Sequence, residues 1–129
     1  MLPAYVQPQK ILYKELLSRL KGKSSPLLLL DVRFPDKFRK GSIPTAHNIQ
    51  ADQLPTAITQ TTPQEWQQIF AFPKPAKDDE IVIFCQYGIK ARKTADELAV
   101  NHGYTKLRVY EGSMAEWNIL QQNEREKAD

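Results

Sequence analysis

The chain holds a single cysteine, Cys85, and the residues around it determine what chemistry it can carry. It follows Ile81-Val82-Ile83-Phe84 and precedes Gln86-Tyr87-Gly88-Ile89-Lys90-Ala91-Arg92. Four consecutive apolar residues, largely β-branched or aromatic, read as a strand buried on both faces, as in a parallel sheet. Beyond the cysteine, Ala91, Ala95, Leu98 and Ala99 fall at i, i+4, i+7 and i+8, one apolar helical stripe. The order is therefore strand, short loop, helix, with the thiol where the strand ends. Open α/β sheets hold their ligands outside the carboxyl ends of the strands. A loop closing onto a helix amino terminus directs unpaired backbone N–H groups and the positive dipole end at its centre, so an anion there is stabilised. A thiolate is such an anion, and it is the nucleophilic form of cysteine. Gly88 fits a backbone that must curl inward, and Lys90 and Arg92 add positive charge nearby. The competing reading makes Cys85 a small buried hydrophobe closing a strand; the glycine, lysine and arginine that follow weigh against it.

The elements that position this loop are legible in outline. Ala4-Tyr5-Val6 is expected as a short edge strand before Pro8, and Ile11, Leu12, Leu16, Leu17 and Leu20 give a helical stripe to about Lys21, ended by Gly22. Gly22 to Pro26 reads as a polar turn. Leu27 to Val32 is short and bounded by turn residues, which favours a central strand. Asp31 and Arg33 then lie at its carboxyl end, on the same sheet edge as Cys85, either as an ion pair bracing loops or as part of the site, with bracing favoured. Pro35 to Lys40 is a short helix ended by Gly41, and Ala46 to Ile49 a short strand. Asp52 is expected to cap a helix reaching Ile58. Thr62, Pro63 and Glu65 mark another helix start, with Trp66, Ile69 and Phe70 as its buried face. Asp78-Asp79-Glu80 reads as a solvated acidic turn. The helix after Cys85 runs to about His102 and stops at Gly103; Leu107 to Tyr110 is the last strand, and Met114, Trp117 and Leu120 mark a final helix. Residues 123–129 form a polar tail expected to fray. This alternation predicts one doubly wound α/β domain over 4–122, with a central, mostly parallel sheet of about five strands flanked by helices.

Composition narrows the function classes. At 129 residues and 41% apolar content, the chain suits one globular domain. A lone cysteine permits no intramolecular disulfide, so covalent chemistry at Cys85 must be resolved by another molecule. A net charge of +3, with its basic residues spread along the chain, gives no nucleic-acid arm. No apolar run approaches the ~20 residues of a membrane span. Met1 to Lys10 lacks a secretory signal pattern. The expected compartment is the cytoplasm; a mitochondrial one stays open, since a transit peptide removed earlier leaves no trace. His47 has no second histidine or carboxylate at ligand spacing, so no metal is assigned.

With these residues in view, the chain resembles the single-domain rhodanese family of sulfurtransferases over roughly Val6 to Trp117. Asp31-Val32-Arg33-Phe34-Pro35, with Phe38, Gly41, Ile43-Pro44, Ala46 and Asn48-Ile49, is similar to the family's amino-terminal signature. Cys85 to Ala91 lies where its active-site loop does, and Gly103-Tyr104, Val109, Gly112 and Trp117 resemble its carboxyl-terminal signature. The resemblance implies a ping-pong transfer without a cofactor. A Cys85 thiolate takes the outer sulfur of a small anionic donor such as thiosulfate, and the persulfide is cradled by the amides of Gln86, Tyr87, Gly88, Ile89 and Lys90. A thiol or cyanide then removes it, with glutathione, thioredoxin or a sulfur-relay protein as possible acceptors. Lys90 and Arg92 would attract the donor, with Asp31 and Arg33 in support. The family loop usually closes with Arg and then Ser or Thr, where this chain has Lys90 and Ala91; Ser42 stands where a histidine is common, and Ser113 where a second glycine is frequent. Two alternatives accompany this reading. One is a non-catalytic rhodanese-like interaction module. The other is a phosphatase or arsenate reductase, whose loop places five residues between Cys and Arg; here Lys90 follows four and Arg92 six.

Overall fold

The computed structural model describes residues 4–22 and 26–128. Its strands are β1 (Gln9–Lys10), β2 (Leu28–Asp31), β3 (His47–Asn48), β4 (Ile81–Phe84) and β5 (Leu107–Val109). They form one sheet in the order β1-β5-β4-β2-β3, and every pairing is parallel. The helices are α1 (Tyr13–Lys21), α2 (Pro35–Arg39), α3 (Leu54–Gln60), α4 (Pro63–Phe70), α5 (Ile89–His102) and α6 (Ser113–Ala128). Alternation along the central strands sends Ile81, Ile83 and Cys85 to one face, where they pack with Leu54, Trp66, Ala95 and Leu98. Val82 and Phe84 pack on the other face with Leu16, Met114 and Trp117. Two apolar layers on one sheet are the doubly wound arrangement expected from the sequence. All four β4 residues are buried, and the register sets Asp31 beside Phe84, so the ends of β2 and β4 share one sheet edge.

Several local expectations are corrected. Residues 4–6 form no strand; β1 is Gln9–Lys10, two exposed polar residues paired with Arg108 and Val109. An edge strand needs backbone pairing more than apolar side chains, so apolar content misplaced it. Leu12 is exposed at the α1 N-cap, and Ile11, whose N–H donates to the Val109 carbonyl, takes the buried place. Asp52 caps nothing: α3 starts at Leu54 after Gln53, and Asp52 accepts from the Gln50 side chain at 2.7 Å. Thr62 and Glu65 do form the capping box of α4, but Ile69 is exposed, since Trp66 and Phe70 already fill the contact with Phe72. The residues expected to fray continue α6 to Ala128, which a run of good helix formers after Gln122 permits. The turn read at Gly22 to Pro26 lies largely outside the described residues. No helix among the described residues is long and apolar enough to cross a membrane.

The acidic turn before β4 is also less solvated than expected. Glu80 accepts two hydrogen bonds from the Arg19 guanidinium, at 2.7 and 3.0 Å, and Arg108 bridges from Glu80 to Glu15. This network ties α1 to the start of β4 and to β5. The Arg19 side chain beside Glu80 holds its carboxyl below the ordinary value of 4.5. The folded pKa lies under the unfolded one, so the stabilisation is present above pH 4.5 and fades as pH falls below it. Glu80→Gln should therefore lower stability at pH 7 by about 1 kcal/mol in urea unfolding. The gap from the unsubstituted protein should close near pH 3; a gap of equal size at both pH values would refute the pairing as its cause.

Candidate active site

The site begins with the turn from β4 into α5. Cys85 follows the last β4 residue directly, so its side chain emerges on the α5 side of the sheet and is almost fully covered. The backbone then reverses through Gly88, which adopts φ 92° and ψ −16° as the N-cap of α5. Only glycine suits this position. A Cβ there would lie 2.3 Å from the Glu111 carbonyl oxygen, on top of the strained φ.

The reversal brings amides onto the sulfur. The Gly88 N–H donates to Cys85 Sγ at 3.1 Å, and the Ala91 N–H, from the first turn of α5, at 3.4 Å. The amides of Ile89 and Lys90 have no acceptor among the described residues. Outside the loop, the first turn of α6 holds it in place: Met114 N–H donates to the Cys85 carbonyl and Ala115 N–H to the Gln86 carbonyl, each at 3.0 Å. Ser113, fully buried at φ 54°, accepts from the Cys85 N–H at 3.1 Å, donates to the Tyr110 carbonyl at 2.9 Å, and lies 4.0 Å from Sγ.

A cavity of about 550 Å³ opens above the sulfur, lined by Arg33, Phe34, Lys37, Gln86, Tyr87, Ile89 and Lys90 with Cys85 at its base. Three cations and no carboxylate line it, and the exposed side chains of Phe34, Tyr87 and Ile89 make an apolar rim. Lys90 sets its ammonium 4.4 Å from the centre of the Phe34 ring, a cation–π contact across the mouth.

The residues expected at the site divide into three groups. Cys85, Gln86, Tyr87, Ile89 and Lys90 meet at the cavity, and Gly88 shapes it from behind. Asp31 stays out of the cavity but positions a residue that lines it. Fully buried, its carboxylate accepts from Arg33 Nε and Nη2, the latter at 2.7 Å, from the Arg33 backbone N–H and from Ser42 Oγ. The second bond of Arg33 Nη2 goes to the Gly41 carbonyl at 2.7 Å, so Arg33 presents its side chain to the cavity in one fixed orientation. Arg92 is not part of the lining. One residue round the helix from Ala91, it pairs with Asp96 on the outer face of α5.

Four contributors escaped the sequence reading. Phe34 and Lys37 line the cavity because α2 folds back over the β4 loop; Arg33 precedes α2, so helical spacing gave no signal that would join Lys37 to it. Ala91 supplies an amide to the sulfur although its side chain carries no chemistry. Ser113 was noted only as a substitution, and a serine hydroxyl at a positive-φ position gave no reason to expect contact with Cys85.

Comparison with known proteins places this geometry. Residues 12–120 match the family model of the rhodanese-like domain. A mitochondrial thiosulfate sulfurtransferase of Saccharomyces cerevisiae is 39% identical over 90 residues, covering 70% of this chain and 59% of that protein. The human thiosulfate:glutathione sulfurtransferase is 40% identical over 90 residues, covering 69% of this chain and 76% of its own length. The solved structure of a human single-domain sulfurtransferase superposes with a TM-score of 0.77 at 36% identity, covering 85% of this chain and 95% of that one. The chain belongs to the rhodanese-like domain family of sulfurtransferases.

Proposed function

We propose that the protein moves a sulfane sulfur from a small anionic donor to a thiophilic acceptor through a persulfide on Cys85. The observation that carries this is the pair of amide hydrogen bonds, from Gly88 and Ala91, received by a sulfur at the base of a cationic cavity. Two N–H donors at a helix amino terminus are placed to stabilise negative charge on the atom that receives them. With thiosulfate, the thiolate attacks the outer sulfur, the sulfur–sulfur bond breaks, and sulfite leaves with the electron pair. The new persulfide anion lies closer to the cavity, where the free amides of Ile89 and Lys90 stand ready to receive it. A thiolate acceptor then attacks the outer sulfur, forms its own persulfide and returns the electron pair to Cys85 as thiolate. Among the relatives, one is named for thiosulfate and another for thiosulfate and glutathione; thiosulfate as donor and a small thiol as acceptor follow that pattern.

Arg33, Lys37 and Lys90 supply the positive potential that draws the donor in. Arg33 is held by Asp31 and the Gly41 carbonyl, whereas the Lys90 ammonium rests on the Phe34 ring and donates no hydrogen bond to a carboxylate among the described residues. A compact ammonium offers an oxyanion attraction without the planar fork of a guanidinium.

Incubated with thiosulfate, the protein should gain the mass of one sulfur atom, removable by dithiothreitol and missing in Cys85→Ser. Intact-mass spectrometry decides this, and an adduct that persists in the serine variant, or none with any sulfane donor, would sink the persulfide route. Replacing Lys90 should change donor choice. Lys90→Arg is expected to raise the kcat/KM ratio of thiosulfate to an uncharged organic trisulfide by about threefold, the scale of one added charge-assisted hydrogen bond at an exposed site; an unchanged ratio would remove Lys90 from donor recognition.

A further inference from the structure

A second concavity adjoins the Cys85 cavity. About 450 Å³ in volume, it runs between the segment from α2 to Pro44 and the inner face of α6. Arg33 and Lys37 line both spaces, so the two share a wall. The charged residues along it are Arg33, Lys37, Lys40 and Arg125, four cations without a carboxylate. This one-sided charge is specific to the place. The comparable hollow between α1 and α6 is lined by Lys10, Lys14, Glu111 and Glu116, whose charges cancel. Of the four cations, Arg33 is already met by Asp31, whereas Lys37, Lys40 and Arg125 form no ion pair among the described residues. Met114 and Trp117 give the groove an apolar floor, and Asn118 adds an amide.

We infer that this groove holds the body of the sulfur acceptor, a small peptide-like thiol whose carboxylates lie at a distance from its sulfur. The inference rests on the persulfide reading above and names where the second substrate lies. A small inorganic oxyanion is confined to the space over Cys85 and has no part that reaches Lys40 or Arg125. An extended thiol can set its sulfur against the Cys85 persulfide while its chain passes Lys37 into the groove. Its backbone then lies on Met114 and Trp117 and its carboxylates meet Lys40 and Arg125. The transfer itself is unchanged: the acceptor thiolate attacks the outer sulfur and the electron pair returns to Cys85. What the groove adds is selection among acceptors, because a thiol without distant carboxylates gains nothing from it.

Lys40 and Arg125 are exposed and lie outside the Cys85 cavity, so Lys40→Glu/Arg125→Glu tests the groove without altering the loop. S-methylglutathione is the probe, since its blocked sulfur binds without reacting. Calorimetry should show binding to the unsubstituted protein that weakens about tenfold in the double variant and fades with added salt. In turnover with thiosulfate, the KM for glutathione should rise by a similar factor while that for 2-mercaptoethanol stays within about twofold, uncharged thiols making no use of the groove. Equal affinity of the probe for both proteins, no binding to the unsubstituted protein, or an equal KM rise for both thiols would overturn the inference. Intact mass after thiosulfate treatment reports separately on Cys85. Sulfur uptake with no loss of probe affinity refutes the groove and leaves the persulfide standing; probe binding that depends on Lys40 and Arg125 without sulfur uptake does the reverse.

Discussion

The amino termini of α5 and α6 converge on the residues after β4, and each brings amides that no helical carbonyl can reach. The two ends are satisfied in opposite ways. In α6 the first four N–H groups all find oxygen: Ser113 and Glu116 use Tyr110 and Gly112, while Met114 and Ala115 use Cys85 and Gln86. Toward α5 the loop offers the Gly88 carbonyl, which accepts from the Arg92 N–H at 3.0 Å. The earlier amides of α5 gain nothing from that carbonyl, and the Cys85 sulfur receives one of them, that of Ala91, directly. The loop is a bridge: the carbonyls of Cys85 and Gln86 serve α6, while the Gly88 carbonyl and the Cys85 sulfur serve α5. Gly88 is what lets it fit, because any side chain there would collide with the Glu111 carbonyl just ahead of α6.

A second fixed point flanks the first. Asp31 is buried with its charge fully engaged by Arg33 and Ser42, and the main chain around it is held in turn by Asn48, whose amide donates to the carbonyls of Asp31 and Arg33 at 2.9 Å. A buried pair of this kind contributes less to net stability than its Coulomb attraction suggests, because both ions lose their hydration. Its effect here is geometric. It sets the exit direction of the chain from β2, and that direction places Phe34 and Lys37 over the sulfur. β2 and β4 are adjacent and in register, so the pair and the thiol are held by one strand pairing with no flexible segment between them. The expectation that Asp31 and Arg33 brace the loops is thus met, but Arg33 also faces the cavity; the two readings describe different atoms of one arrangement.

How far the sequence speaks depends on which force builds each part. The central strands and the helices with an apolar stripe were legible because burial leaves a period in the sequence, as in Ile81 to Phe84 and in Ala91 to Ala99. The capping box at Thr62 was legible because its two side chains make its bonds. β1 was misplaced because backbone pairing alone makes it, and Gln9 and Lys10 carry no sign of that. At the candidate site, Cys85 and the loop around it could be placed because glycine and cations have local causes. Lys37 and Ser113 could not, since their nearness to Cys85 depends on how α2 and the start of α6 pack. Arg92 was drawn toward the site by adjacency along the chain; one step of helical rotation from Ala91 was enough to turn it to solvent and to Asp96.

The departures of the loop from its usual pattern acquire a physical sense in this setting. At position 91 the contribution to the sulfur is a backbone N–H, which alanine supplies as well as serine or threonine would. Only a hydroxyl is given up there, and a hydroxyl is present on the other side: Ser113 stands 4.0 Å from Sγ while holding the Cys85 N–H. Lys90 differs in kind, because its side chain is the part that matters. Parked on Phe34 at the mouth, it leaves the interior of the cavity to Arg33, whose orientation Asp31 and Gly41 fix, and to Lys37. Positive charge is thus shared between the loop and the start of α2, and α2 is also the wall of the basic groove lined by Lys40 and Arg125. A loop closed by arginine would concentrate recognition at the sulfur, whereas this arrangement spreads it along a path leading away from the sulfur. In the proposed transfer, that spread gives a small donor a weaker grip and an extended acceptor additional contact.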